Sequence, residues 1–365
     1  MKQAWQRHSS ALIRKTIRIA EPHHQQKVSV MNKAPYLLLS TLLAGGGLVS
    51  QSALACASCG CTLNSDWSTM DIANSEGLKL DLRYDYLNQN QLRSGTGTIS
   101  PQAASQIVND GNPQEVEKFT VNRYLTLGLD YTFNPDWGVN LQLPYISRNH
   151  STLGTASDGI HAGAGGGQYD SQTSGIGDIK LIGRYQGLSS KHNVGLMFGL
   201  KLPTGSYTAT GQSADPGAPG PVAIDRGLQA GTGTTDLILG AYYLSAVGQQ
   251  WEMFAQGMYQ TALNSRDDYK PGNGLNLNLG LRYTGFNAVT PMLQINARHV
   301  AHDTGANADT VSTGGTLVYL SPGLMAPVTR NLSLYGYAQL PLYQDVRGAQ
   351  LAPRYLLSAG MRYSF

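Results

Sequence analysis

Residues 274–283 read GLNLNLGLRY. Leu275, Leu277, Leu279, Leu281 and Tyr283 fill one set of alternate positions, and Asn276, Asn278, Gly280 and Arg282 fill the other. A period of two marks a β-strand, because successive side chains point to opposite faces. One face of this strand is greasy, and the other carries amides and a cation. In a soluble sandwich the greasy face would be the core. In an outer-membrane barrel it meets hydrocarbon, and the polar face lines the interior.

The same register recurs along the chain. Leu78, Leu80, Leu82, Tyr84 and Tyr86 alternate with Lys79, Asp81, Arg83 and Asp85. Leu125, Leu127, Leu129 and Tyr131 alternate with Tyr124, Thr126, Gly128 and Asp130. Counting all such runs predicts strands near 77–88, 119–133, 137–147, 176–187, 193–203, 234–246, 250–262, 274–286, 290–302, 315–326, 330–343 and 353–365. Twelve is an even number, as single-chain bacterial barrels require, and most runs exceed the 9 to 11 residues or so that a tilted strand needs to cross. Connections alternate between tight turns and long Gly-, Ser-, Asp- and Pro-containing loops. The expectation is an all-β fold over 77–365, a transmembrane antiparallel up-and-down β-barrel of about 12 strands with short periplasmic turns and long extracellular loops.

Aromatics sit near the predicted strand ends. Phe133, Trp137, Tyr185, Trp251, Tyr283, Tyr363 and Phe365 fall on the short-turn side, and Tyr86, Tyr145, Tyr259, Tyr343 and Tyr355 on the loop side. Two such rings are expected at the two water–lipid interfaces. The chain ends SAGMRYSF, which puts Gly360, Tyr363 and Phe365 at the spacing of a barrel-assembly signal. The partners this implies are the lipid bilayer and the assembly machinery.

Composition agrees. Charged residues make up only 13% of the chain, with 43 Gly and 20 Tyr among 365 residues. Mean hydropathy is −0.23, too low for a bundle of lipid-spanning helices. One apolar stretch, APYLLLSTLLAGGGLV from Ala34 to Val49, follows Lys33 and precedes Ala53-Leu54-Ala55. That order matches a secretory leader over 31–55, with 1–30 as an extension from a mis-assigned start. Removing 1–55 takes away 7 of 26 Lys+Arg and 1 of 23 Asp+Glu, leaving 19 and 22, net −3. The apparent basicity belongs to the leader, and a nucleic-acid partner has no support.

Residues 56–76 form an N-terminal periplasmic segment that opens CASCGC. Cys56, Cys59 and Cys61 fall one short of the four ligands of a structural zinc site. Three readings stand open: a disulfide with a spare thiol, a soft metal such as Cu(I), or lipidation of Cys56. No other cofactor is expected.

The predicted inward face carries charges of both signs: Lys79, Asp81, Arg83, Asp85, Asp130, Asp178, Lys180, Arg184, Lys201, Asp236, Glu252, Arg282, Arg298 and Arg362. On the lipid face an Arg or Lys would cost about 2 to 4 kcal/mol at midplane. On the inside these groups form either a selectivity surface for a small-molecule solute or a salt-bridged plug. Asp267, Asp268 and Asp303 are expected on solvated loops. No Ser/His/Asp set or phosphate loop is legible, so no residue is nominated as catalytic and an enzyme is not expected.

From about residue 175 the chain resembles the outer-membrane family first named for the meta pathway of phenol degradation. The matching pieces are SGIGDIKLIGRY (174–185), GLKLPTGSY (199–207), LQAGTGTTDLILGAYY (228–243), NLGLRY (278–283), GGTLVYLSPGL (314–324) and QLPLYQDVRGAQL (339–351). The resemblance implies a porin-like barrel that imports aromatic or other small compounds. The function expected is a channel or transporter. The alternative is a structural or partner-binding barrel whose cysteine segment serves a metal or a periplasmic redox protein.

Overall fold

The computed structural model describes residues 76–109, 112–113, 116–154, 169–213 and 220–365. The extension 1–30, the leader 31–55 and Cys56, Cys59 and Cys61 lie outside the described residues.

Eleven strands form one antiparallel ring. They are β1 (Gly77–Gly95), β2 (Val116–Thr132), β3 (Trp137–Gly154), β4 (Ile179–Tyr185), β5 (Val194–Leu202), β6 (Asp236–Val247), β7 (Trp251–Ala262), β8 (Gly274–Tyr283), β9 (Thr290–Val300), β10 (Gly315–Pro327) and β11 (Leu332–Ser364). Each pairs with its neighbour in sequence, and β11 pairs back onto β1, for example Leu82 opposite Met361. The ring is closed, so no barrel strand offers an unpaired edge to its surroundings.

The separate runs expected at 330–343 and 353–365 fall in the single element β11. Its Ser333–Val346 part pairs with β10, and its Val346–Ser364 part pairs with β1. The ladder continues past Gly348 (φ 57), so the two runs are not separate elements. The run expected at 176–187 also differs. Tyr169–Ile176 pairs with the outer part of β3, and β4 begins only at Ile179. Between them Asp178 turns its carboxylate inward to the backbone N–H of Gly205 and Thr232.

β1 and β3 extend to Gly95 and Gly154, well past the expected ends. The period-two signal fades at Asn88-Gln89-Asn90-Gln91 because beyond the greasy band neither face has to be apolar, whereas the ladder itself continues. Short strands Gly97–Thr98, Tyr169–Ile176, Thr210–Ser213 and Pro221–Ala223 build outward from this end. Tight connections (133–136, 186–193, 248–250, 284–289, 328–331) lie at the other end.

The two faces are inverted relative to a soluble protein. On β8, Leu275, Leu277, Leu279 and Leu281 are 39%, 49%, 50% and 43% exposed, whereas Asn276 and Asn278 are 8% and 5%. All round the ring the outward face is apolar, while the inward face carries the polar side chains together with a smaller set of buried apolar ones. Burying polar groups while exposing leucine would be doubly unfavourable in water. The solvent that suits this surface is hydrocarbon.

Aromatics mark the rim at the tight-turn end. Trp137 packs on Tyr185 (4.7 Å between ring centroids), Trp251 on Tyr283 (4.9 Å) and Tyr363 on Phe365 (4.8 Å). At the loop end Tyr145, Tyr259, Tyr343 and Tyr355 are exposed, while Tyr86 is half-buried. Gly360 has a packing role here: a Cβ would lie 2.4 Å from the Tyr335 ring, which covers it from the adjacent run of β11. The hydroxyl of Tyr335 then donates to Asp81 at 2.9 Å.

Candidate functional site

The site begins with where the alternation sends the charges. All fourteen charged residues predicted for the inward face are buried or half-buried. The structure brings most of them into pairs. At the tight-turn end Arg184 meets Asp130 at 3.0 Å, Arg362 meets Asp81 at 3.1 Å, and Arg282 meets Glu252 at 2.5 Å. Lys79 faces Asp130 in register. Nearer the loops Arg83 holds Asp85 at 2.9 Å, and Asp85 also accepts from the Ser358 hydroxyl. Lys201 lies between Asp178 (3.0 Å) and Asp236 (3.1 Å). Lys180 sits directly opposite Lys201 on the neighbouring strand, and Arg298 is opposite Asn276.

Across β7 to β10 the middle of the inward face, between the Arg282–Glu252 pair and Arg298, is neutral instead. Asn278 donates to Gln256 at 2.9 Å. Asn296 donates to Asn278 and to Gln294, both at 2.8 Å, and accepts from the Ser321 hydroxyl. The ladder follows strand register, since Asn278 is opposite both Gln256 and Asn296.

Between these polar groups lies an apolar layer. Phe254, Met292, Tyr335 and Tyr337 pack together, with Leu244 and Met325 against them. Leu244 also joins a second cluster of Ile182, Met197, Ile238, Tyr242 and Met258. Gly195 makes room for this layer, because a Cβ there would meet the Tyr242 ring at 2.1 Å.

On the loop side is a cavity of about 230 Å³. The segment from Arg226 to Thr232 borders it, and Arg148 pins that segment by donating to the carbonyls of Gly227 (2.8 Å) and Gln229 (3.3 Å). Thr173 adds a bond to the Leu228 carbonyl at 3.1 Å. Arg226 stacks over Tyr207 and Tyr269, each 4.8 Å to the ring centroid.

Asp303 is buried at 3% exposure, which corrects the solvated-loop expectation. It accepts from Tyr269 Oη at 2.9 Å and from the Gly272 N–H at 2.8 Å. Burial raises its pKa, against the pull of those two hydrogen bonds. Asp225 is raised well above the ordinary value, first by burial and then by Asp309 and Asp303. Asp309 is pushed up to about 6 by burial, although the N–H groups of Val311 and Ser312 bond its carboxylate.

Sequence reasoning missed Arg148, Arg226, Asp225, Asp309 and the amide ladder. Arg148 has the inward parity of β3, but Pro144 and Ile146 share that parity and mask its polar face. Arg226, Asp225 and Asp309 lie in loops, where no period exists to assign them. The ladder has a sequence signal in Asn276, Asn278 and Gln256 on inward positions, but a neutral amide is equally common on a solvated face, so the signal is weaker than that of a charge.

A closed antiparallel ring, greasy outside and polar inside, is an outer-membrane β-barrel, and the cell outer membrane is where it resides. No protein-family model matches the chain, and no curated protein matches it. Among solved structures it is similar to an outer membrane channel from Pseudomonas putida F1, with TM-score 0.56 and 14% identity over 80% of this chain and 97% of that one. That likeness is one of fold. Looser likenesses include the β domain of a Bordetella autotransporter (TM-score 0.44, 13% identity, 80% and 100% covered) and a toluene transporter from Ralstonia pickettii (TM-score 0.41, 12% identity, 80% and 90% covered).

Proposed function

We propose that the barrel is a channel or transporter that passes small molecules through a charged lumen, and that it is not an enzyme. In this reading β11 counts as two crossings, giving twelve, with the tight turns in the periplasm and the long loops outside. The fourteen inward charges line the path. The observation that carries the reading is the partly open cavity of about 230 Å³ bordered by Lys180, Lys201, Arg148 and Arg298, inside a ring whose outer face is apolar. The resemblance to the phenol meta-pathway family agrees with passage of small compounds. Conductance of the purified barrel in planar bilayers tests it: discrete steps above background are expected, and their absence would remove the channel.

A second reading rests on the apolar layer. Phe254, Met292, Tyr335 and Tyr337 fill interior space on the tight-turn side of the cavity. A barrel closed by that layer would be a structural or partner-binding body, with Cys56, Cys59 and Cys61 serving a soft metal or a redox protein. It predicts copper(I) binding that Cys59→Ser abolishes, together with silent bilayers.

A further inference from the structure

Charge is rare on the outward face of the strands, and at the loop end of β11, β1 and β2 two arginines break the rule. Arg123 has the outward parity of Leu125 and Leu127, and it lies opposite Tyr86 of β1 and Ser147 of β3. Its Nη1 donates to the side-chain oxygen of Asn149 at 3.1 Å, a neutral partner that leaves the charge uncompensated.

Arg354 reaches the same face through a bulge. Leu87 pairs with Leu356 and Gln89 with Pro353, so Asn88 alone faces two residues of β11, Arg354 and Tyr355. A bulge of this kind re-aims a side chain. Pro353 and Leu356 are buried on either side, whereas Arg354 and Tyr355 are both exposed. Strict alternation would have put Arg354 on the inward row with Leu356 and Ser358. Among the described residues no acid pairs with Arg123 or Arg354. Asp345, on the adjoining run of β11, accepts from Tyr343 at 3.2 Å instead. Lys118 is exposed farther along β2 and adds to the positive side.

The tyrosines fix the level. Tyr86, Tyr145 and Tyr355 stand beside the arginines, and such rings mark the interface between lipid and water. A cation that is costly at midplane is tolerated there. The opposite wall differs: Leu237, Tyr259, Leu275 and His299 hold the outward positions at the loop end of β6 to β9, and His299 bonds Thr316. Across β1 the two arginines are two strand spacings and two residues apart, roughly 12 Å between backbones. Positive charge on one side of the interface suits an anionic head group.

We infer that Arg123 and Arg354, with Tyr86 and Asn88 between them, form a docking surface for the doubly phosphorylated head group of a lipid in the outer leaflet. Each guanidinium donates to one phosphate, and the acyl chains run along Leu125 and Leu357 below. The orientation proposed above, with the loops outside, decides which leaflet supplies the lipid.

The test is native mass spectrometry of the full-length barrel in non-ionic detergent, titrated with lipid A and with monophosphoryl lipid A. The two share an acyl body and differ by one phosphate. Lipid A is expected to bind saturably and about fivefold more tightly, the value of one basic residue at an anionic surface. Arg123→Gln and Arg354→Gln should each weaken lipid A about fivefold, and the corresponding Lys variants should keep most of the affinity. Lys191→Gln, an exposed cation in the connection at the tight-turn end, should change nothing. Arg354→Gln carries the test if the Arg123→Gln barrel does not fold. Equal affinity for the two lipids, or an equal loss from Lys191→Gln, overturns the inference. Tighter binding of phosphatidylglycerol than of lipid A overturns it too. None of these outcomes bears on conductance, so the passage reading stands or falls apart from them.

Discussion

The interior of this barrel is built in two chemistries. Over β1 to β6 it is ionic: Arg184 with Asp130, Lys201 with Asp178 and Asp236, Arg83 with Asp85. Over β7 to β10 the middle of the wall is an amide ladder running from Gln256 through Asn278 and Asn296 to Ser321. Both satisfy the same requirement, that polar groups removed from bulk water find partners. The cost of losing one member differs between them. An amide that loses its partner leaves a dipole unsatisfied, whereas an ion that loses its partner leaves a charge. They differ too in field, since the ionic wall projects a potential into the cavity and the amide wall projects little.

The sharpest break in that comparison is Lys201→Met. It strands Asp178 and Asp236, which are 8% and 3% exposed, beside each other. A loss of about 3 to 5 kcal/mol is expected, as for other buried pairs deprived of one partner. Urea unfolding of the barrel in detergent micelles measures it. Adding Asp178→Asn and Asp236→Asn should recover much of the loss. If the triple variant is as unstable as the single one, the damage is steric and the ionic argument fails. Next in size is Leu279→Arg, on the outer face of the amide wall. The neighbouring inward positions hold Asn278 and Gly280, and Arg282 is inward two residues beyond Gly280. Outward at midstrand, however, Arg should cost about 2 to 4 kcal/mol, read as lowered unfolding stability in lipid bilayers. An unchanged stability would mean that Leu279 does not face hydrocarbon.

Asn296→Ala should cost less, about 1 to 3 kcal/mol, because it removes neutral partners from Asn278, Gln294 and Ser321. Its second readout separates the walls. Ion selectivity, measured as reversal potential across a salt gradient, should stay as in the parent, while Lys180→Gln shifts it toward cations. A selectivity shift from Asn296→Ala would show that the neutral ladder also shapes the field.

How much of this could be read in advance divides along a similar line. Alternation fixed which side chains point inward on β8, and every charge it assigned to the interior is buried or half-buried. It worked because hydrocarbon outside leaves no tolerance for exceptions. Where that constraint ends, the reading ended too. β1 runs on to Gly95 through residues polar on both faces, and β4 breaks at Asp178, whose carboxylate is used by loop backbone rather than by the strand. The segment around Arg226 and the pocketing of Asp303 depend on chain returning over 220–235 and 301–314. No local period encodes such a return, so the roof of the cavity was invisible although its walls were not.

That roof supplies the smallest effect, and it concerns pH. Asp309 is buried, and only one of its carboxylate oxygens is bonded: Oδ1 accepts from the N–H groups of Val311 at 2.9 Å and Ser312 at 2.7 Å. Its Oδ2 is buried without a hydrogen-bond partner. Burial comes first among the causes that lift its pKa from 3.8 to about 6, and Asp303 adds to the lift. A carboxyl group whose pKa is higher folded than unfolded contributes stability that is complete below 3.8 and is lost as pH rises through about 6. Asp225 and Asp303 shift in the same direction, so the three acids act together. The loops of 220–235 and 301–314 should therefore hold more tightly at about pH 4.5 than at about pH 7.5. Amide hydrogen exchange of Val311 and Ser312, corrected for the intrinsic pH dependence of exchange, should show greater protection at the lower pH. Asp309→Asn, which carries no charge at either pH, should flatten the difference. Protection that instead grows with pH would mean that the Asp309 carboxylate is stabilised where it sits, and the ionised form would then be the one that holds the roof.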